Sequence, residues 1–178
     1  LIHSFGSAGT GGFSNYADSV GHFDSAYVDG VITVFMILFG VNFSLYFLLL
    51  IKEYKAVWKN EELRVYFGII AAATAVITIN ILPQYGSVLK SFRYAVFQVG
   101  TIITTTGYAT ADFNVWPMLS KCVLIALMII GACASSTGGG IKVSRFMIAV
   151  KSIKREVKQM AHPKSVNLIC VNGKKMGN

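Results

Sequence analysis

Three long runs of this chain contain no charged residue. They cover residues 31–51, 65–89 and 122–141, and they are 21, 25 and 20 residues long. An α-helix needs about 20 consecutive apolar residues to cross the hydrocarbon core of a bilayer. The pattern therefore predicts an all-α membrane protein with a helix in each run. Pro83 and Gly86 are expected to end or kink the second of these helices.

A fourth apolar run, residues 94–111, differs because it holds several threonines and two glycines. We expect a short helix over residues 92–104, followed by extended backbone at membrane depth. Such backbone is tolerated there only where it is buried in protein or lines an aqueous path. Residues 1–8 look like the end of a similar helix. Because the chain starts at Leu1 rather than at a methionine, we expect it to be a piece of a longer polypeptide.

A four-residue motif occurs twice, each time before an acid and a long apolar run. Thr10-Gly11-Gly12-Phe13 and Thr105-Thr106-Gly107-Tyr108 both fit T-x-G-[FY], and the glycines at their third positions lie 95 residues apart. This is the pattern of a potassium filter strand, in which successive backbone carbonyls replace the water shell of the ion. Glycine adopts the φ values that such a strand needs without steric penalty. One copy alone would fit an ordinary glycine-rich turn, but two copies predict a pore built from related repeats.

The third apolar run changes character in its second half, where small residues replace large ones. The segment consists of Ala132, Cys133, Ala134, Ser135, Ser136, Thr137, Gly138, Gly139 and Gly140. Each glycine disfavours helix by about 1 kcal/mol, so we expect a helix break within protein at membrane depth. The alternative interpretation is a face of small residues for helix packing. The segment lacks the residue order of a phosphate-binding loop.

The formal net charge of +8 is unevenly distributed along the chain. Residues 52–64 and 142–178 hold 13 of the 16 basic residues, and these two segments lie on one side if the three spans alternate. Asp18, Asp24, Asp29 and Asp112 then lie on the other side. The positive-inside rule makes the basic side cytoplasmic and places both filter-like motifs near the outer face. This distribution argues against a nucleic-acid partner.

The chain after the third run is basic and contains no visible catalytic or metal-binding cluster. Residues 143–160 have apolar positions at helical spacing, which predicts a cytoplasmic helix. This helix either continues the third span beside anionic headgroups or couples to a cytosolic partner. Residues 164–175 look like a short hairpin. The three cysteines lack metal-ligand spacing, and no nucleophile or base stands out, so we expect neither an enzyme nor a cofactor.

Three segments closely resemble the membrane subunit of the Trk/Ktr/HKT superfamily of potassium transporters, and the bacterial Trk type most closely. They read A-G-T-G-G-F-S, I-I-T-T-T-G-Y-A-T-A-D-F-N-V-W-P and G-A-C-A-S-S-T-G-G-G-I-K-V-S-R. The third departs from the family pattern at Ser135, where glycine is usual. The resemblance implies four helix–pore loop–helix pseudo-repeats of a potassium-channel-like pore. Residues 1–60 would be the C-terminal part of repeat 2, residues 61–163 repeat 3, and residues 164–178 the start of a cytoplasmic linker.

The resemblance also implies a function, namely potassium uptake through a carbonyl-lined filter with residues 132–140 as an intramembrane gating loop. It implies potassium as cargo, with sodium or a proton as a candidate second ion. It further implies a homodimer, a cytosolic nucleotide-binding ring, contact with lipid, and a multi-pass location in the bacterial inner (plasma) membrane. A subunit of a tetrameric potassium channel and a non-transporting membrane scaffold are the alternatives. Two unequal filter copies in one chain argue against identical channel subunits.

Overall fold

The computed structural model describes residues 1–161, together with residues 170–171 and 174–175. This part of the chain is helical, as predicted, apart from two short strands that pair antiparallel within the predicted hairpin. Two 3-10 turns cover Ser19–Phe23 and Phe113–Val115. The helices and strands are α1 (Ile2–Ala8), α2 (Ala26–Phe39), α3 (Phe43–Leu50), α4 (Tyr54–Lys59), α5 (Glu61–Tyr85), α6 (Val88–Ile103), α7 (Met118–Ile130), α8 (Val143–Ala161), β1 (Cys170–Val171) and β2 (Lys174–Lys175).

The longest helix, α5, begins and ends at clear capping residues. The Asn60 side chain accepts a hydrogen bond from the Leu63 amide at 3.0 Å, which satisfies one of the free donors in the first turn. Gly86 ends the helix with a φ of +63°, a conformation in which glycine is favoured. Pro83 and Gly86 are the two residues expected to end or kink this helix. Pro83 lies within its last turn, and the helix ends at Gly86.

The single helix predicted over residues 31–51 is wrong. The structure has two helices there, α2 and α3, which meet at an angle of 91°. The carbonyls freed at the end of α2 accept hydrogen bonds from distant side chains, since the Tyr66 hydroxyl donates to Ile37 O at 3.1 Å and the Tyr46 hydroxyl donates to Leu38 O at 2.6 Å. The Tyr66 contact supplies a partner for Ile37 O at the helix end, and Leu38 O, which also accepts from the Val41 amide at 2.9 Å, receives a second bond from Tyr46.

Only one helix in the described part of the chain, α5, is by itself long and apolar enough to cross a membrane. The bent pair α2 and α3 makes a second candidate if the two helices count as one span. The helical part of the third run, α7, is shorter at 13 residues. The connection over residues 52–64 contains α4 and the start of α5.

The third apolar run breaks as predicted. Helix α7 ends at Ile130, the φ of Gly131 is +75°, and no helix resumes until α8 begins at Val143. Helix α8 is therefore not a continuation of α7. Residues 131–142, called the glycine loop below, connect the two helices.

The core of the fold surrounds α6, which is the short helix predicted before the second motif. The helix begins four residues earlier than expected. It packs against α2, α5 and α7. Ala95, Val99 and Ile103 on α6 are fully buried, as are Ile77 and Ile81 on α5. Burial of its last residue holds the end of α6 in place, and the second motif starts two residues later.

Candidate functional site

The two T-x-G-[FY] motifs follow the same backbone path, and each begins just after a short helix. The φ values of Thr10 and Gly12 are +48° and +64°, and those of Thr105 and Gly107 are +57° and +91°. Both motifs therefore have positive φ at their first and third positions. Glycine takes such values freely, whereas threonine does so only against a steric cost. The expectation of unusual φ values at both glycines is confirmed.

The two motifs lie in direct contact with each other. A Cβ added to Gly12 would lie 2.1 Å from Thr106 O, so only glycine permits this approach. A Cβ added to Gly107 would meet nothing within 4 Å. The two glycines are therefore required for different reasons, Gly12 for both conformation and space, and Gly107 for conformation alone.

Tyr108 connects the second motif to the first. Tyr108 is 1% exposed, and its hydroxyl lies 3.1 Å from His3 O and 3.3 Å from Phe13 O, between which it shares its one proton. Gly6 makes room for it, because a Cβ there would lie 2.1 Å from the Tyr108 hydroxyl. Tyr108 therefore holds the second motif against both α1 and the first motif.

The segments that follow the two motifs line a shared cavity of about 450 Å³. The acids that follow each motif, Asp18 and Asp112, both line it. Two hydrogen bonds connect the segments, from the Gly21 amide to Ala109 O at 3.0 Å and from the Ala109 amide to the Ser19 hydroxyl at 3.3 Å. The two acids that the sequence places after the motifs are thus brought to one concave surface.

The glycine loop contacts the first threonine of each motif. The Thr10 hydroxyl shares its proton between Gly9 O at 2.8 Å and Thr137 O at 3.0 Å, and the Gly139 amide donates to the Thr105 hydroxyl oxygen at 2.6 Å. One short segment is therefore hydrogen-bonded to both motifs at the same end, opposite the end that carries the acid-lined cavity.

Close packing explains why glycines are concentrated in this loop. A Cβ on Gly138 would lie 3.0 Å from Thr104 O, and one on Gly139 would lie 3.0 Å from the Thr105 hydroxyl oxygen. The two ends of the loop also touch, because a Cβ on Gly140 would lie 2.6 Å from the Cα of Gly131. The small residues therefore pack a non-helical loop against the second motif. They do not form the helix-packing face that was the alternative interpretation.

The bend between α2 and α3 holds the loop from another side. The Cys133 amide donates to Gly40 O at 3.0 Å, and the Phe43 amide donates to Ser135 O at 3.0 Å. The break that sequence reasoning missed thus supplies backbone partners for the loop. The signals for it were Gly40 and Asn42, since the Asn42 side chain accepts from the Ser44 amide and starts α3.

Glu62 is a further contact that sequence reasoning missed. Its side chain is buried, and Oε1 accepts a hydrogen bond from the Ala134 amide at 2.6 Å. Because Glu62 lies in the first turn of α5, the sequence offers only an acid near a helix N-terminus and no sign of a distant partner. Within residues 1–161, no group of three or more His, Cys, Asp or Glu side chains could hold a metal ion.

Comparisons with known proteins identify the family. The model of the TrkH family, described as cation transport protein, matches residues 1–178. The chain belongs to the TrkH family of cation transport proteins. Among its TrkH relatives, the Trk system potassium uptake protein TrkH of Salmonella typhimurium is 36% identical and matches 99% of this chain. The Escherichia coli protein TrkG is 32% identical over 98% of the chain.

The TrkH fold is also found by structural comparison. The crystal structure of the potassium transporter TrkH from Vibrio parahaemolyticus matches 98% of this chain with a TM-score of 0.92 and 35% sequence identity. The predicted fold class, all-α with helix–pore loop–helix repeats, and the predicted family are confirmed. The chain spans 36% of the length of the Salmonella TrkH and 38% of the Vibrio TrkH chain.

Proposed function

We propose that the full-length protein takes up potassium through a path lined by the backbone of residues 10–13 and 105–108. The observation that carries this proposal is the contact between two copies of one motif with the same alternation of φ. A strand with negative φ throughout turns successive carbonyls to opposite sides. A left-handed residue at every second position removes that alternation, so that successive carbonyls can face the same side. A row of ion-facing carbonyls requires this arrangement.

The charges around the two motifs support a cation as the cargo. Helix α6 ends directly before the second motif, and the negative end of its dipole favours a cation there. Asp18 and Asp112 line the cavity at the other end, where they would raise the local concentration of cations. The names of the relatives, which are potassium uptake proteins, select potassium among the cations.

We propose in addition that residues 132–140 gate this path. The loop is hydrogen-bonded to Thr10 and Thr105, so in the position observed it lies against one end of both motifs. Its contacts are hydrogen bonds and close approaches of small residues, and segments that bury few large apolar side chains open at low cost in free energy. Movement of the loop would then control access to the filter.

The remaining parts of the proposal concern the whole protein. It transports potassium, with sodium or a proton as a candidate coupled ion, and it has neither a catalytic activity nor a cofactor. It lies in the bacterial inner membrane with residues 52–64 and 142–178 on the cytoplasmic side. A homodimer and a cytosolic nucleotide-binding ring are the partners that the family resemblance favours. The exposed apolar residues Ile153 and Val157 and the basic residues of α8 make this helix the candidate contact for the ring.

Potassium uptake in cells that lack their own uptake systems tests the proposal. The full-length protein should restore growth at low potassium, and a membrane scaffold would not. Deletion of Ser136–Gly139 should then raise uptake per folded molecule in the membrane, because it removes the part of the loop that contacts both motifs. Unchanged or lower uptake per folded molecule would contradict the gate. Loss of folded protein would support a purely structural loop.

A further inference from the structure

We propose that Glu62 is a latch that holds the glycine loop in its observed position. The latch contact itself depends only on the geometry. Its effect on ion flow rests on the proposed function, in which the loop gates the path. Glu62 would thus be a positioning residue. It holds the loop, and it is the loop rather than Glu62 that contacts the two motifs that line the ion path.

The surroundings of Glu62 show that its carboxylate is directed at the loop. The side chain is buried, and its Oε1 atom lies 2.6 Å from the Ala134 amide nitrogen. The cap of α5 comes from another residue, Asn60, which accepts from the Leu63 amide. The neighbouring acid, Glu61, contacts Lys151 of α8. Two adjacent acids therefore connect α5 to two different segments, and Glu62 is the one that holds the loop.

A buried carboxylate at this position needs a compensating interaction. Burying a charge is unfavourable unless it is hydrogen-bonded. The first turn of α5 supplies a favourable potential for an anion, and the Ala134 amide supplies a charge-assisted hydrogen bond. Bonds of this kind are shorter and stronger than those between neutral groups. The contact is therefore one of the strong anchors of the loop.

This anchor can be released without movement of the helices. Two neighbouring contacts join backbone to backbone, since the Cys133 amide donates to Gly40 O and the Phe43 amide donates to Ser135 O. Breaking those contacts requires displacement of the bend between α2 and α3. The Glu62 side chain can instead rotate away from Ala134 while α5 stays in place. Loss of this one bond would weaken the hold on the loop before any helix moves.

Amide hydrogen exchange in the full-length protein tests the latch. The exchange rate is measured in a part of the loop that does not contact the substituted residue. The reporter is the segment 137–141, which contains the Gly139 amide that donates to Thr105 and is not bonded to Glu62. Glu62→Ala should speed exchange in this segment about tenfold, because a hydrogen bond to a charged group is lost. Glu62→Gln keeps an acceptor oxygen and should speed exchange about twofold to threefold.

The matched control is Glu61→Ala, which removes the neighbouring acid from the same turn and leaves the contact with Ala134 intact. Its exchange in segment 137–141 should stay at the wild-type rate. Equal exchange in folded Glu62→Ala and wild-type protein would overturn the latch. If Glu62→Ala does not fold, Glu62→Gln decides, and an unchanged rate in that variant would also overturn it.

Potassium uptake measured on the same variants separates the latch from the gate. Faster exchange together with higher uptake per molecule supports both. Faster exchange with unchanged uptake supports the latch and contradicts the gating role of the loop.

Discussion

The two T-x-G-[FY] motifs share a backbone path but differ in their surroundings. Both have positive φ at their first and third positions, and both contact the glycine loop through their first threonine. Their aromatic residues differ, because Tyr108 is 1% exposed and bonded to the first motif, whereas Phe13 is 75% exposed. The two copies therefore share the backbone conformation of their first and third positions and differ in the contacts of their aromatic residues.

This difference indicates how successive repeats are held together. Tyr108 reaches from its own repeat to the helix and motif of the repeat before it, where it bonds to His3 and Phe13.

The largest effect is expected from glycine substitutions in the two motifs, with the first motif the more sensitive. Gly12→Ser places a side chain at a φ of +64° and only 2.1 Å from Thr106 O, so it disturbs both motifs. Gly107→Ser strains only its own backbone. Strain of this kind costs about 1–3 kcal/mol, so the ratio of potassium to sodium uptake should fall at least about fivefold for Gly12→Ser and less for Gly107→Ser.

Gly86→Ser is the matched control for these two variants. Gly86 also has a positive φ, and a Cβ there would meet nothing within 4 Å, but it ends α5 away from the motifs. It should lower stability without changing the uptake ratio. An unchanged ratio in both motif variants would refute the filter assignment, and equal losses in the two would refute the role of the contact between Gly12 and Thr106.

A smaller effect is expected from removal of the Tyr108 hydroxyl. Tyr108→Phe keeps the buried ring but loses the hydrogen bonds to His3 O and Phe13 O. A hydrogen bond of this kind contributes about 1 kcal/mol, so we expect a loss of a few-fold in the uptake ratio. Tyr85→Phe is the control, because the Tyr85 hydroxyl accepts a bond from Trp116 outside the motifs. If the two variants behave alike, the brace between repeats has no role in selectivity.

Some of this structure is predictable because its causes are local in the chain. The break of the third run begins at Gly131, and the three glycines at 138–140 disfavour helix in the rest of the segment. The end of α5 follows from Gly86, and the positive φ values of Gly12 and Gly107 follow from the motif. The charge-free run over residues 65–89 predicts a long helix, and α5 occupies most of it.

Other features are not predictable because their causes are tertiary. The bend at Gly40 lies in a run that is apolar throughout, and it is stabilised by hydroxyls from Tyr46 and Tyr66. Gly40 and Asn42 mark the position, but an apolar run with one glycine also fits an unbroken helix. The contact of Glu62 with Ala134 joins residues 72 positions apart, and no pattern around either residue indicates it.

The binding of a heavier potassium analogue tests the central claim most directly. Crystals of the full-length protein grown with rubidium should show anomalous density in contact with the backbone oxygens of residues 10–12 and 105–107. This result follows if those carbonyls replace the water shell of the ion. Rubidium bound elsewhere in the protein, with none against these two segments, would contradict the account.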